Sequence, residues 1–313
     1  MNYVLHGATL AMAWFLFVNL AGSWLAARLA CRRTPAAPAW WFTLRILPAL
    51  AASFFVGAVF LPSYWRYEPR QTAEGFDLTL TACAIAAALL IGSGGVRGIA
   101  AWRRATCRTR AWLGSARPIA IAGAAVPAFS IDADYPLMAL VGILRPRLLV
   151  TRGLMHALSD EELAACVAHE LGHSHAWDNL KRLAMRASPD LLFGTATARE
   201  IERRWASAAE HAADDRAGHH GAAARCALAS ALVKVARLMP ERITVEPIST
   251  LIAGGEIAAR VRRLLEDRAL APAATRRRMR AASLGFAAAL CAAYGPLLHA
   301  VHHVTEILVG SLP

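Results

Sequence analysis

Charge is scarce in this chain. Only 18% of its 313 residues are Asp, Glu, Lys or Arg, against about 25% in an ordinary soluble domain. Hydrophobic residues make up 57% and the mean hydropathy is +0.38, which places the chain in the membrane class. Paired cysteines are also missing. The six (Cys31, Cys83, Cys107, Cys166, Cys226, Cys291) are scattered with no CxxC, so they read as small apolar fillers in a reducing compartment and not as a disulfide frame. No Lys or Arg precedes the first apolar stretch, which argues against a signal peptide. No internal repeat is present, and no nucleic-acid motif accompanies the net charge of +12, whose arginines cluster at the edges of the apolar stretches, so no nucleic-acid partner is expected.

Four apolar stretches are long enough to span a bilayer: about 7–27, 46–65, 78–96 and 281–298. Pro48 is tolerated near the end of the second, where Tyr64 and Trp65 suit an interface, and glycines 92, 94 and 95 are expected to weaken the end of the third. The charges between spans set an orientation. The stretch from Arg28 to Arg45 carries only cations, as does the run Arg97, Arg103, Arg104, Arg108, Arg110, and Arg276, Arg277, Arg278 and Arg280 abut the fourth span. The 66–77 loop instead mixes Arg66 and Arg70 with Glu68, Glu74 and Asp77. The positive-inside rule then puts the 28–45 loop and the segment after 96 in the cytoplasm, and both termini outside. Arginines facing anionic lipid account for the net charge.

Between these spans lies His169-Glu170-Leu171-Gly172-His173. Four residues make just over one helical turn, so on a helix the two imidazoles project from one face. Two neutral imidazoles plus a third ligand form an open tetrahedral zinc site, with Glu170 about 100° round and able to take a proton from a held water. A capping box of Ser159 and Glu162, a Leu158–Leu163 staple and the apolar run Leu163, Cys166, Val167, Leu171 predict one helix through this stretch, uninterrupted to about 186. Gly172 leaves room for another segment to approach. A third ligand six residues on would fall on Asn179, which is unsuitable. A later helix over 198–217 instead offers Glu210 as ligand and Asp214 one turn on, placed to accept a ligand histidine's other N–H. A solvated Glu–Asp pair is the alternative for these two.

The segments HELGHSHAWDNL and EHAADDRA resemble the membrane zinc metallopeptidases of the BlaR/MecR antirepressor type, and GILRPRLLVTRGLMHALSDEELAACVAHELGH is similar also to the HtpX and CAAX-processing membrane peptidases. The resemblance covers roughly 135–267 and implies His169, His173 and Glu210 as metal ligands, Glu170 as the catalytic base, Asp214 and Asp178 as supporting carboxylates, and an arginine-bearing helix at GGEIAARVRRLL. SPDLLFGTATARE lacks the proline-aromatic segment usual in that family, and the chain reaches Pro313 without a penicillin-binding sensor domain.

The expected fold is mainly α: transmembrane helices in 1–110, a cytoplasmic zincin-like metallopeptidase domain in 111–275 with a small β-hairpin or sheet, and a C-terminal span in 276–313. Strands are expected over 117–122 and 136–151, with a hairpin turn at 142–147 whose free edge could hold an extended peptide. Further helices are expected over 222–238 and 254–268. The expected function is that of an integral membrane zinc endopeptidase of the cell (inner) membrane, cleaving a repressor or a membrane protein at the cytoplasmic face. A protein quality-control or peptide-processing protease is one alternative, and a non-catalytic signalling component is another. The cofactor is Zn2+; the partners are a protein or peptide substrate and the bilayer, and the resemblance implies a transcriptional repressor substrate or a sensor partner. Tyr135, His211, Arg216 and Arg260 all remain candidates for an oxyanion partner, Asp178 for a brace or cap, and His175, His219 and His220 for the polar surface.

Overall fold

The computed structural model describes residues 3–31, 37–69, 78–238, 257–266 and 276–310, with the backbone alone for 220 and 276–292. The architecture is mostly helical with one small mixed sheet. Three helices are long and apolar enough to cross a membrane: α1 (Tyr3–Ala30), the continuous rod of α2 (Pro38–Phe55), a π-helical turn (Val56–Phe60) and α3 (Leu61–Tyr67), and α4 (Leu78–Ser115). Their outward faces carry large exposed apolar side chains such as Phe17, Trp24, Phe54, Ile85 and Leu89, as expected of surfaces meeting lipid rather than water. The fourth predicted span falls on α11 (Arg276–Gly310); its side chains up to 292, including the arginine run, lie outside the described residues, as do Arg32, Arg33, Arg70, Glu74 and Asp77.

All three helices outrun the spans read from hydropathy, and packing explains why. α2 begins at Pro38, where proline suits the first helical turn. Arg45 therefore stands inside a helix and not in a loop. It is wholly buried, donating to Asp190 Oδ2 at 2.6 Å, Glu202 Oε1 at 2.8 Å and the Met185 carbonyl at 3.2 Å. Pro48 is likewise internal to α2, and a Cβ on Gly22 of α1 would sit 2.9 Å from its Cα. The glycines of α4 do not end that helix. A Cβ at Gly94 would lie 2.7 Å from the Ala187 carbonyl oxygen, and one at Gly98 would meet Ala187 as closely. Close packing of α4 on the end of α7 and on Pro189 after it requires the missing side chains, and α4 runs on through Arg110 to Ser115.

The sheet has the order β1-β2-β4-β3, built from β1 (Arg117–Ile119), β2 (Ala128–Ile131), β3 (Met138–Val141) and β4 (Arg147–Thr151). β3 and β4 form an antiparallel hairpin around 142–146, while β2 joins β4 in parallel. β2 carries no alternation or turn signal strong enough to mark it in the sequence; its pairing with a buried strand makes it one. After β4 come α5 (Arg152–Ala157), α6 (Asp160–His175), α7 (Asp178–Ala187), α8 (Ala196–Ala217), a 3-10 turn (Gly218–His220), α9 (Ala222–Leu238) and α10 (Ile257–Leu265). The core beneath the sheet joins Leu148 and Val150 to Cys166 and Val167 of α6 and Leu228, Leu232 and Val235 of α9. The five described cysteines are free thiols. Burial pushes the Cys166 thiol up to about 12, so it behaves as an apolar filler.

The long helix predicted through 186 is broken. α6 ends at His175, and Trp177 adopts a left-handed conformation (φ 56°) before α7 starts at Asp178. Neither glycine nor proline marks the break, and the contacts it permits are described below.

Candidate metal centre

The N-terminus of α6 is fastened before the site begins. Ser159 Oγ accepts the Glu162 N–H, and Glu162 Oε2 accepts the Ser159 N–H at 2.8 Å, a reciprocal cap. Glu162 also accepts from Ser230 Oγ at 2.6 Å and Lys234 Nζ at 2.7 Å, tying α6 to α9. Burial opposes ionisation of Glu162, but these bonds outweigh it and hold its carboxyl below the ordinary range.

Three turns along, His169 and His173 are buried with their Nε2 atoms 3.3 Å apart. Glu210 of α8 closes the triangle, its Oε2 3.5 Å from His169 Nε2 and its Oε1 3.5 Å from His173 Nε2. α8 comes this near because Gly172 faces it: a Cβ there would lie 3.2 Å from the Ala213 Cα. The other nitrogen of each ring meets a carboxylate. His169 Nδ1 lies 3.0 Å from Asp214 Oδ1, and His173 Nδ1 lies 2.8 Å from Asp178 Oδ2. Carboxylates at both Nδ1 atoms favour the Nδ1–H tautomers, which leaves both Nε2 lone pairs turned toward one point beside the Glu210 carboxylate. Lone pairs that face each other repel unless a cation lies between them.

The triangle has the size such a cation requires. Donor atoms about 2.0–2.1 Å from a tetrahedral zinc lie about 3.3–3.4 Å from one another; here the two Nε2 atoms are 3.3 Å apart, and each is 3.5 Å from one of the two Glu210 oxygens. The electrostatics agree. Burial would lower the His169 pKa, yet Asp214 and Glu210 overcome it and raise it to about 9, so positive charge is stabilised at this position. Burial opposes ionisation of Asp214 as well, but its bonds to His169 and Arg260 hold its carboxyl well below the usual carboxylate range. The residues present therefore fit a zinc-like divalent ion.

Glu170, 2% exposed, lies against the hairpin. Its Oε2 accepts the Leu140 N–H at 3.0 Å, while its Oε1 is buried with no hydrogen bond. Burial pushes its carboxyl above the ordinary range, helped by Glu210 and opposed by the two histidines and the Leu140 N–H. A carboxyl poised in this way is suited to taking up a proton and returning it.

Several neighbours have contacts that the sequence did not assign to them. Arg260 of α10, placed among the oxyanion candidates, is committed elsewhere: it grips Asp214 through two bonds of 2.9 and 2.6 Å and reaches Glu210 Oε2 at 3.1 Å. Arg216 donates to the Gly172 carbonyl, the His211 carbonyl accepts from Arg263, and Tyr135 is partly exposed, away from the triangle's hydrogen bonds. Asp215 pairs with Arg263 at the surface, and His175 and His219 are exposed; the His220 side chain lies outside the described residues. Asn179 is the principal omission. Its Nδ2 donates to the Leu140 and Gly142 carbonyls at 3.1 and 2.9 Å. The outer edge of β3 is thus not free at Leu140, whose N–H and C=O are both engaged, which corrects the expectation of an open edge there. The turn at Trp177 produces this, since it aims Asp178 at His173 and Asn179 at the hairpin; a left-handed tryptophan has no signature in sequence.

A mostly helical chain with three candidate membrane-crossing helices and a buried His-His-Glu group has the features of a membrane-associated metallopeptidase. Residues 120–239 match the model described as Peptidase family M48, a stretch that includes β2, β3 and β4, the triangle and α9, and the match supports the M48 metallopeptidase family. A search of curated proteins gives no match.

Proposed function

We propose that the chain is an integral membrane zinc endopeptidase acting at the cytoplasmic face, with His169, His173 and Glu210 as ligands and Glu170 as the base. The observation that carries this reading is the convergence of two imidazole Nε2 atoms 3.3 Å apart, each 3.5 Å from an oxygen of the Glu210 carboxylate. When bound there, zinc supplies a Lewis acid that polarises the scissile carbonyl and acidifies water. Glu170 takes the proton of the attacking water on Oε1 and returns it to the leaving amine. Asp214 and Asp178 retain the Nδ1 protons and so keep each Nε2 available, and Arg260 fixes Asp214 while balancing the carboxylate charge.

The same reading assigns three spans to 1–110, the peptidase unit to 111–275 and a further span to 276–313. Arg28 at the end of α1 and the arginines of the second half of α4 lie toward the peptidase end, which supports a cytoplasmic catalytic side. Resemblance to the BlaR/MecR type supports a repressor or membrane protein as substrate. The test is a comparison of membrane proteomes from cells carrying wild-type and Glu170→Gln protein. Uncleaved chains should accumulate with the variant, while its zinc content stays that of the wild type. Equal processing by the two proteins would end the proposal.

A further inference from the structure

The His169–His173–Glu210 triangle is one of two places among the described residues where three metal-ligand side chains come together. The other joins Glu68, His302 and Glu306, each offering one ligand atom within 4.8 Å of the other two. It lies far from the first. The rod of α2, the π-helical turn and α3 carries Arg45, bonded to Glu202 of α8, near one end and Glu68 at the other. At the helical rise the two stand about 35 Å apart along the rod, and a hydrocarbon core is about 30 Å thick. Glu68 therefore belongs to the end of the helix bundle opposite the triangle.

The helices here are held in place by bonds of their own. Glu68 ends α3 in an extended conformation (φ −72°, ψ 128°), as suits a residue before proline, and its side chain is buried. α11 is bonded alongside. The Tyr294 hydroxyl donates to the Ala58 carbonyl and the Ser63 hydroxyl to the Leu298 carbonyl, both at 2.6 Å, and Trp14 Nε1 donates to Thr305 Oγ1 at 3.1 Å. His302 and Glu306 stand one turn apart on α11 and so share a face. The Tyr67 ring stacks on His302 with centroids 5.7 Å apart and meets His299 edge-on at 5.4 Å, which sets the plane of the His302 ring.

We propose that Glu68, His302 and Glu306 form a second metal site, one that takes a zinc-like divalent cation at the membrane face opposite the peptidase unit and clamps α11 to the end of the rod. His302 Nδ1 lies 3.7 Å from Glu68 Oε2, too far for a hydrogen bond. Two ligands about 2.1 Å from one zinc ion reach that separation when the angle between them is about 120°. Two carboxylates balance a divalent charge, and the imidazole suits zinc, whereas calcium prefers about six to eight oxygens. Glu68 makes other contacts as well; a carboxylate has about four acceptor positions, so it can keep them and still hold an ion. His302 is partly exposed and Glu306 exposed, so water reaches this ion and it exchanges more readily than one in the buried triangle. The site stands whether or not the triangle is catalytic.

The test adds zinc chloride to purified full-length protein in detergent and reads bound zinc per chain by equilibrium dialysis, beside the thermal midpoint. Dialysis without added zinc first sets the baseline content, which belongs to the triangle. The wild type should take up one further ion at micromolar free zinc, and its midpoint should rise by a few degrees. His302→Ala/Glu306→Gln should take up none and show no rise, with the baseline unchanged. His303→Ala should behave as the wild type, because His303 is outside the group, and His302→Cys, which keeps a zinc ligand, should retain the ion. His169→Ala should lose the baseline ion and keep the added one, so the two sites fail separately. Equal uptake by the wild type and the double variant marks adventitious zinc only and overturns the proposal, as does uptake of Ca2+ in preference to Zn2+.

Discussion

Two buried polar clusters share α8, and they are built in opposite ways. Around Arg45, a fully buried guanidinium donates to Asp190, Glu202 and the Met185 carbonyl, so a cation of the chain lies between its anions, although Asp190 Oδ1 makes no hydrogen bond. About 12 Å along the helix, around Glu210, two imidazole nitrogens and a carboxylate point at one another with no donor of their own to share. The first cluster has a guanidinium at its centre and joins α2 to the segments around Asp190 and α8. In the second, Arg260 reaches only the Glu210 edge, and the point that both imidazole Nε2 atoms face holds no cation of the chain. Burial alone does not separate structure from function here; what separates them is whether a cation of the chain lies where the acceptors converge.

The largest expected effect tests the second cluster. Glu170→Gln should lower kcat by about 10²–10⁴-fold with unchanged zinc content, as read by peptide hydrolysis and elemental analysis. A merely structural Glu170 would leave turnover within a few-fold. Arg45→Met tests the first cluster. It leaves Asp190 buried and unpaired, which costs about 3–5 kcal/mol and should appear as a lower thermal midpoint in detergent, with full zinc content in the chains that remain folded. Joint loss of stability and metal would show that the two clusters are not separable.

Asp214→Asn sharpens the comparison, because it alters a residue that touches a ligand without itself facing the triangle's centre. Zinc affinity should fall about 10–100-fold, measured by competition with a chromophoric chelator. The smallest effect belongs to the α6 cap. Ser159→Ala should cost about 1 kcal/mol. Glu162 has a depressed pKa in the folded chain, so its contribution is complete above the ordinary carboxylate range and is lost as pH falls through the folded value. The stability gap between wild type and Glu162→Gln should therefore close on acidification. A gap that widens in acid would reverse the sign of that coupling.

The sequence shows those parts of the site that depend on local spacing. One helical turn sets His169 beside His173 and Glu210 beside Asp214, and the Ser159–Glu162 cap follows from the same periodicity. What could not be read depends on contacts between distant segments. Arg45 looks like a loop cation because its partners lie about 140 to 160 positions away. Gly94 and Gly98 look like helix weakeners because Ala187, which needs their small profile, is equally remote. The break at Trp177 has no glycine or proline to announce it, yet it brings Asp178 and Asn179 to the histidine and the hairpin.

The most direct test of the central claim is zinc content per chain in purified full-length protein, compared across wild type, His169→Ala and Glu210→Ala. The account predicts one tightly held ion in the wild type and loss of that ion in both variants, with folding retained by circular dichroism. A wild type that holds no zinc, or a Glu210→Ala protein that holds it as firmly as the wild type, would contradict it.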